Sequence, residues 1–275
     1  MSNRLNKCFS DLRQTGKKAL VAYLTAGDPN LEVSFMAAIK AIENGVDILE
    51  VGVPFSDPLA DGPVIQRAMG RALENGGGLH SALDLIRKIR QVDEKTPVVL
   101  FGYLNPYISI GEEQLCKAAV EAGVDGVLVV DLPMEEASGF SEIAKRYSLA
   151  WIRLIAPTSG RERSQRIAED ASGFIYLVAM TGVTGGALSS LKPVERMISD
   201  VGVDSSLPMC VGFGIRSGEM AGEVAKIADG VVVGSALVQI LELDAPEADR
   251  LAELGRFVAE LRRGIDGSAT EGRLK

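Results

Sequence analysis

The sequence predicts an α/β protein folded as a single-domain (β/α)8 TIM barrel. Eight short segments rich in β-branched residues are distributed along the 275 residues. These segments are apolar almost throughout, which is typical of parallel strands buried on both faces. Amphipathic stretches of helical period separate them, so strand and helix alternate from one end of the chain to the other.

The eight predicted strands are residues 19–24, 46–51, 97–101, 126–130, 150–155, 174–179, 208–213 and 230–234. Between them, apolar residues recur three and four positions apart, as at Leu83, Ile86 and Ile89. The longest interval follows the second strand and contains an extra helical segment at residues 63–75, before a regular helix at 81–91. Long loops on a rigid scaffold commonly carry binding and catalytic residues, so we expect part of the functional site in this interval.

We expect one domain over residues 1–263, because no Pro/Ser-rich linker divides the chain. The alternative, an open doubly wound sheet, usually carries a G-x-G-x-x-G turn after its first strand. This chain has TAGDP there, at residues 25–29. The last residues, 264–275, are Gly, Ser and charged, and predict a frayed tail.

The composition favours a globular protein that acts on a small molecule. With 47% hydrophobic residues it is not a disordered chain, and its net charge of −8 disfavours nucleic acid and anionic membrane as partners. No apolar run approaches the roughly 18 residues that span a bilayer, and the first residues lack the pattern of a signal peptide. The three cysteines stand apart and are typical of a reducing compartment, so we expect a cytoplasmic protein.

Several kinds of chemistry are disfavoured by what the chain lacks. It has one histidine, His80, next to a glycine run, so a His-rich zinc site and a Ser-His-Asp nucleophile are not expected. Lysines precede strands or lie in helical stretches, which disfavours Schiff-base chemistry and bound pyridoxal phosphate. We therefore expect no metal and no cofactor, and chemistry carried out by carboxylates.

Three acids lie where a barrel enzyme builds its site, at the carboxyl ends of strands. Glu50 lies in an apolar run, where desolvation raises the pKa of a carboxyl and suits it to general acid/base catalysis. The alternative is a structural Glu paired with a cation or with backbone. Asp61 follows the same strand, in an Asp-Gly-Pro sequence that is also ordinary turn chemistry, and Asp131 after strand four is either catalytic or a brace for its loop.

Glycine-rich loops follow the last three strands: TGVTGG at 181–186, GFGI at 212–215 and GSA at 234–236. Glycines let backbone N–H groups approach an anion, and loops in this part of a barrel often bind phosphate. The alternative is tight turns that need positive φ. We expect a phosphate-binding site.

The segment LEVGVPFSDPLADGP at 49–63 resembles the signature of the tryptophan synthase alpha chain family. The likeness continues through LTAGDP (24–29), GYLNP (102–106), DLP (131–133), APT (156–158), TGVTG (181–185), VGFGI (211–215) and GSA (234–236). The resemblance implies a lyase of tryptophan biosynthesis that cleaves indole-3-glycerol phosphate to indole and glyceraldehyde 3-phosphate by a retro-aldol reaction.

The same resemblance implies roles for particular residues. Glu50 would transfer protons between the glycerol hydroxyl and indole C3, and Asp61 would accept a hydrogen bond from the indole N–H. Tyr176 would lie near Glu50, and residues 181–190 would form a lid. The residues implied for the indole pocket are Tyr23, Ile65, Leu100, Leu128 and Thr184, and those for phosphate are Gly185, Phe213, Gly214, Gly234 and Ser235.

The family also implies a partner, the beta chain, which carries pyridoxal phosphate and receives indole through a tunnel in an alpha-beta-beta-alpha heterotetramer. Residues 54–58 and 105–107 would form the docking rim on this chain. Two other functions remain open: a noncatalytic regulatory subunit that binds a phosphorylated ligand, and a stand-alone lyase that needs no partner.

Overall fold

The protein is a closed barrel of eight parallel strands that neighbour one another in sequence order, which confirms the predicted fold class. The computed structural model describes residues 4–179, 191–202, 205–212 and 214–271. The strands are β1 (Ala19–Thr25), β2 (Ile48–Gly52), β3 (Val98–Gly102), β4 (Gly126–Val129), β5 (Ala150–Ile155), β6 (Ile175–Val178), β7 (Met209–Gly212) and β8 (Gly230–Val233). Their bounds differ from the predicted ones by no more than two residues.

Helices cover the outside of the barrel. Within the described residues they are α1 (Arg4–Thr15), α2 (Leu31–Glu43), α3 (Pro63–Glu74), α4 (Leu79–Arg90), α5 (Leu104–Ile108), α6 (Glu112–Ala122), α7 (Ser138–Arg146), α8 (Arg161–Asp170), α9 (Lys192–Val201), α10 (Gly218–Ala225), α11 (Ser235–Leu241) and α12 (Glu247–Glu271). A short 3₁₀ turn, Met134–Glu136, follows β4. None of these helices is both long and apolar enough to cross a membrane.

The extra helix after β2 is α3, as the sequence predicts, and the regular helix after it is α4. Pro63 lies in the first turn of α3, where its fixed φ suits a helix start and its missing N–H leaves no bond unmade. Ala68, Met69 and Ala72 form the buried face. This face holds α3 against the barrel, close to the loop that carries Asp61.

Alternate strand residues point into the barrel and out toward the helices. In β2, Ile48 packs in the inner cluster and Leu49 in the outer one, so Glu50 faces inward like Ile48. Residues paired in a parallel sheet point to the same side, and Glu50 is paired with Tyr23 and Val99. The interior therefore combines apolar packing with one inward-facing carboxyl from β2.

The amino-terminal end of the barrel is closed by α1. Leu5 and Phe9 are buried in the same inner cluster as the strand residues. The ring centroid of Phe9 lies 5.8 Å from that of Phe174, just before β6. Apolar side chains of α1 therefore fill this end of the barrel.

The carboxyl-terminal segment differs from the expected tail. Helix α12 continues to Glu271, and Ile265 is fully buried. The Gly, Ser and charged composition predicts a tail from Gly264 onward, but Gly264 lies within α12, where this helix crosses α10. A Cβ added at Gly264 would overlap the backbone of Gly218, so the crossing requires a residue without a side chain. Residues 272–275 of the expected tail lie outside the described residues.

Candidate active site

Glu50 lies in the interior of the barrel, in the middle of β2, with no exposed surface. Neither oxygen of its carboxyl has a hydrogen-bond partner among the described residues. This isolation argues against the structural alternative of an ion pair or a backbone contact. Burial alone raises the pKa of Glu50 from 4.5 to about 8.

Asp61 lies on the loop between β2 and α3 and is held by a tyrosine that directly follows β3. The hydroxyl of Tyr103 donates to Asp61 Oδ2 at 2.7 Å and accepts from the Ala60 N–H at 3.0 Å. The ring of Phe55 packs 5.2 Å from that of Tyr103, between centroids. Burial raises the pKa of Asp61, while the bond from Tyr103 stabilises the ionised form and opposes that rise.

Two further tyrosines contribute to the interior from β1 and β6. A Cβ added at Gly52 would collide with the hydroxyl of Tyr23, and one at Gly212 would lie 2.7 Å from that of Tyr176. Glycines at these strand ends thus make room for the tyrosine hydroxyls. Burial raises the pKa of Tyr176, and the negative charges of Glu50 and Asp61 raise it further. Tyr176 therefore lies close enough to both acids for their charges to act on its hydroxyl.

The apolar lining near these acids comes from the inner cluster. Leu128 is fully buried there, and Ile65 of α3 packs against the same cluster, as do Val130 and Leu154. Leu128 and Ile65 thus belong to one apolar cluster, and their contact with indole stays a prediction.

Leu100 is placed differently from the prediction. It belongs to the outer cluster between strands and helices, whereas its neighbour Phe101 belongs to the inner one. The reason is strand alternation, since Val99 pairs with inward-facing Glu50 and Leu100 therefore points outward. Phe101 contacts Tyr23 edge to face at 5.1 Å between centroids, so it takes the place that Leu100 was expected to fill.

Sequence reasoning also missed Tyr103. The residue lies in the GYLNP segment at 102–106, next to the end of β3, and that position was the available signal. Its two hydrogen bonds fix both the side chain of Asp61 and the backbone beside it. Tyr103 is thus a direct contact of a predicted site residue.

The predicted phosphate site is described in part. Gly234 precedes α11, and its carbonyl accepts from the N–H groups of Leu237 and Val238 at 2.9 and 3.1 Å. Ser235 is the first residue of that helix, where backbone N–H groups point outward from the helix end. Gly214 has φ of 63°, a left-handed conformation that favours glycine. The remaining predicted residues, Thr184, Gly185, Phe213 and the lid at 181–190, lie outside the described residues.

Asp131 serves as a brace. Its Oδ1 accepts a 2.8 Å hydrogen bond from the N–H of Leu104, the first residue of α5. The contact ties the loop after β4 to the loop after β3. The side chain is exposed, unlike that of Glu50.

Exposed apolar side chains surround this end of the barrel. Leu59 is 91% exposed and Ile108 is 47% exposed, each directly after one of the two predicted rim segments. Within those segments, however, Tyr107 is fully buried, and its hydroxyl lies against the backbone of Gly102. Tyr107 therefore packs inward and contributes no rim surface.

The described residues contain no group of three or more His, Cys, Asp or Glu side chains arranged to hold a metal ion. The chemistry available at this end of the barrel is that of an isolated protonatable carboxyl, a tyrosine-bound carboxylate and a helix start. Together these groups can exchange protons with a ligand, stabilise a developing positive charge and bind an anion.

Comparison with known proteins identifies similar chains over nearly the whole length. The family model described as tryptophan synthase alpha chain matches residues 9–265. The tryptophan synthase alpha chain of Alkalilimnicola ehrlichii is 46% identical over 270 residues, which covers 98% of each chain. That of Burkholderia pseudomallei is 46% identical over 267 residues, covering 97% of this chain and 98% of the relative.

Solved structures show the same likeness. The tryptophan synthase subunit alpha of Legionella pneumophila aligns with a TM-score of 0.88 at 40% identity, covering 97% of this chain and 100% of that one. A chain of Mycobacterium tuberculosis tryptophan synthase aligns with a TM-score of 0.87 at 34% identity, covering 96% and 99%.

Proposed function

The chain belongs to the tryptophan synthase alpha chain family, the lyase that cleaves indole-3-glycerol phosphate to indole and glyceraldehyde 3-phosphate, and we propose that it does so with two carboxylates in different roles. The observation that carries this proposal is the isolated, fully buried carboxyl of Glu50, together with the tyrosine-held carboxylate of Asp61 on the loop after the same strand. Enzymes commonly use two carboxyl groups in different environments, so that one is protonated and the other is ionised at the same pH.

Glu50 moves the protons of the reaction. With a pKa of about 8 it carries a proton at neutral pH, so it first donates that proton to C3 of the indole ring. It then accepts the proton of the hydroxyl on the attached glycerol carbon. The bond between C3 and that carbon breaks, its electron pair returns to the ring, and the hydroxyl carbon becomes the aldehyde. The C–C bond is replaced by a C–H bond, and Glu50 ends protonated as it began.

Asp61 stabilises the charge that this step creates. Protonation of C3 places positive charge on the ring nitrogen, and the Asp61 carboxylate accepts a hydrogen bond from the N–H there. The Tyr103 hydroxyl orients the carboxylate and supports its ionised form. The apolar side chains of Tyr23, Phe101 and Leu128 form the wall against which the indole ring packs.

The phosphate end of the substrate is held by backbone groups. Ser235 at the start of α11 and the loop at Gly214 supply N–H groups and a favourable helix end. The proposal also assigns Gly185 and Phe213 to the phosphate, Thr184 to the indole and a lid function to residues 181–190, all of which lie outside the described residues.

The proposed partner is the beta chain, in the alpha-beta-beta-alpha heterotetramer that family membership implies. Pyridoxal phosphate belongs to that chain, and the reaction described above uses no cofactor on this one. The exposed Leu59 and Ile108 support a docking surface at the open end of the barrel, where indole would leave. We also propose a cytoplasmic location, which the free cysteines Cys8, Cys116 and Cys210 support.

The test is indole release from indole-3-glycerol phosphate by the purified chain, with and without a beta chain. We expect indole and glyceraldehyde 3-phosphate in equal amounts, and a faster rate with the beta chain. Binding of substrate without release of indole in the presence of the beta chain would instead identify a noncatalytic regulatory subunit. A high rate for the isolated chain that the beta chain leaves unchanged would identify a stand-alone lyase.

A further inference from the structure

An ion-pair cluster links three elements around the open end of the barrel. The guanidinium of Arg71, on α3, donates from Nε and Nη2 to both oxygens of Asp28 at 2.8 and 3.0 Å. Its third nitrogen, Nη1, donates to Oε1 of Glu242 at 3.0 Å. Asp28 follows β1, and Glu242 directly follows α11.

This cluster is more buried and has more hydrogen bonds than a typical surface ion pair. The side chain of Asp28 is 2% exposed, and those of Arg71 and Glu242 are 28% and 25% exposed. The fork of Arg71 engages both oxygens of one carboxylate, a geometry that combines strength with direction. Arg67, one turn earlier on α3, also binds Glu242, with Nη2 2.7 Å from Oε2.

The two helices that Arg71 joins carry opposite halves of the proposed substrate site. Helix α3 follows the Asp61 loop and brings Ile65 to the indole pocket, and Gln66 donates to the Asp61 carbonyl at 2.8 Å. Helix α11 begins at Ser235, on the phosphate side. The glycerol chain of the substrate limits the distance between its ring and its phosphate, so the spacing of the two helices affects whether both ends bind at once.

We propose that Arg71 is a positioning residue that sets the distance between the indole half and the phosphate half of the site, through its bonds to Asp28 and Glu242. In this proposal Arg71 acts by holding α3 against the segment after β1 and against the end of α11, and not by binding the ligand. The inference rests on the proposed function, because it assumes that one ligand spans both halves.

The experiment compares a linked ligand with its two fragments. The linked ligand is indole-3-propanol phosphate, which lacks the hydroxyl needed for cleavage, and the fragments are indole and glycerol 3-phosphate. Binding of each to the full-length wild type and to Arg71→Ala is measured by calorimetry. We expect the Kd of the linked ligand to rise at least about tenfold, because the advantage of linkage is lost, and the fragment Kd values to change less than about twofold.

Three variants sharpen the comparison. Glu242→Ala removes the bonds of both Arg71 and Arg67 to the end of α11 while leaving the Asp28–Arg71 pair. It should show the same pattern even where Arg71→Ala, which leaves a buried carboxylate unpaired, fails to fold, and Arg67→Ala separates the share of Arg67. The matched control is Arg87→Ala on α4, where the exposed arginine pairs with Asp84 three residues away, and we expect all three Kd values to stay unchanged.

Several outcomes would overturn the inference. It fails if the folded variants bind the linked ligand as tightly as wild type, or if the fragments weaken as much as the linked ligand, since Arg71 would then only support one half-site. If wild type binds the linked ligand but releases no indole from indole-3-glycerol phosphate, the proposed function fails and the comparison still decides the role of Arg71. If wild type binds neither the linked ligand nor the fragments, both proposals fail.

Discussion

Glu50 derives its chemical character from its burial without an ion-pair or hydrogen-bond partner in the part of the chain that the structure describes. Its two oxygens lack hydrogen-bond partners among the described residues, and burial is the single cause of its raised pKa. A carboxyl in this setting is costly to ionise, yet close enough to neutral pH to gain and lose a proton within one reaction cycle. Asp61 differs because Tyr103 stabilises its ionised form.

The raised pKa of Glu50 makes folding stability depend on pH. Between pH 4.5 and about 8 the Glu50 carboxyl loses its proton in the unfolded chain but keeps it in the folded protein. The free energy of unfolding therefore falls as pH rises through this range, and the full loss of stability is present above about pH 8. Glu50→Gln removes this cost. We expect the stability of the variant relative to wild type to be a few kcal/mol higher at pH 9 than at pH 5. Urea unfolding at both pH values measures this difference.

The exposed Glu121 of α6 provides the control, because Glu121→Gln should show no such dependence on pH. An equal stability difference between Glu50→Gln and wild type at pH 5 and pH 9 would mean that the folded state does not raise the pKa of Glu50.

At the level of single residues, the sequence predicted the burial of Glu50 correctly but not the orientation of Leu100. The apolar run around Glu50 already indicated burial, and burial is what shifts its pKa. The same unbroken apolar pattern explains the error at Leu100. A strand that is apolar on both faces does not show in its sequence which face points into the barrel. Only the pairing of Val99 with Glu50 shows that Phe101 faces the interior.

Among the secondary structure elements, a repeated hydrogen bond ties neighbouring strands together at the amino-terminal end of the barrel. The bonds join β1 to β2, β3 to β4, β5 to β6 and β7 to β8. In each pair, a polar side chain shortly before the second strand accepts a hydrogen bond from a backbone N–H near the start of the first strand. The pairs are Asp47 with Leu20, Asp125 with Val98, Ser172 with Trp151 and Asp229 with Met209. Their acceptor to donor distances run from 2.8 to 3.1 Å.

These bonds should differ in strength with burial. Asp125 is 4% exposed and also pairs with Arg4 and Arg90, whereas Asp229 is 49% exposed and pairs with Lys18 at 3.7 Å. We expect Asp125→Ala to lower the free energy of unfolding by about 3 kcal/mol, because it leaves buried groups without their partner. The matched variant Asp229→Ala should cost about 1 kcal/mol or less.

Urea unfolding of the two variants under the same conditions measures both values. Equal losses would show that burial does not set the strength of these contacts, and a larger loss for Asp229→Ala would reverse the expected order.

The helices and strands themselves were largely predictable, because each strand is bounded by Gly, Pro or Asp and each helix has a clear apolar stripe. The exception is the end of α12, where Gly264 suggested a tail. A glycine in a helix lowers its intrinsic stability, but here it allows close approach to Gly218 of α10. Such a crossing depends on two segments distant in sequence and leaves no local signal.

For the whole molecule, the two ends of the barrel have separate tasks. The amino-terminal end is plugged by α1, with Leu5 and Phe9 buried against the inner cluster. The opposite end carries Glu50, Asp61 and the helix start at Ser235. This division follows the general design of barrel enzymes, in which one end stabilises and the other catalyses.

The division can be tested at Phe9. We expect Phe9→Ala to lower the free energy of unfolding by about 3 kcal/mol, because it leaves a cavity in the core beside Phe174. The kcat/KM for indole-3-glycerol phosphate should stay within about twofold of wild type, since that side chain lies at the far end from the acids. Chemical unfolding and steady-state kinetics measure the two effects, and a loss of kcat/KM at a temperature where the variant is fully folded would contradict the separation of the two ends.

The central claim is that the buried carboxyl of Glu50 transfers the protons of the cleavage. The most direct measurement is the rate of indole release from indole-3-glycerol phosphate by wild type and by Glu50→Gln, each with the beta chain and each shown to be folded. Glutamine keeps the shape of the side chain and cannot exchange the proton, so we expect a loss of at least about a hundredfold. An unchanged rate in the folded variant would remove Glu50 from the mechanism.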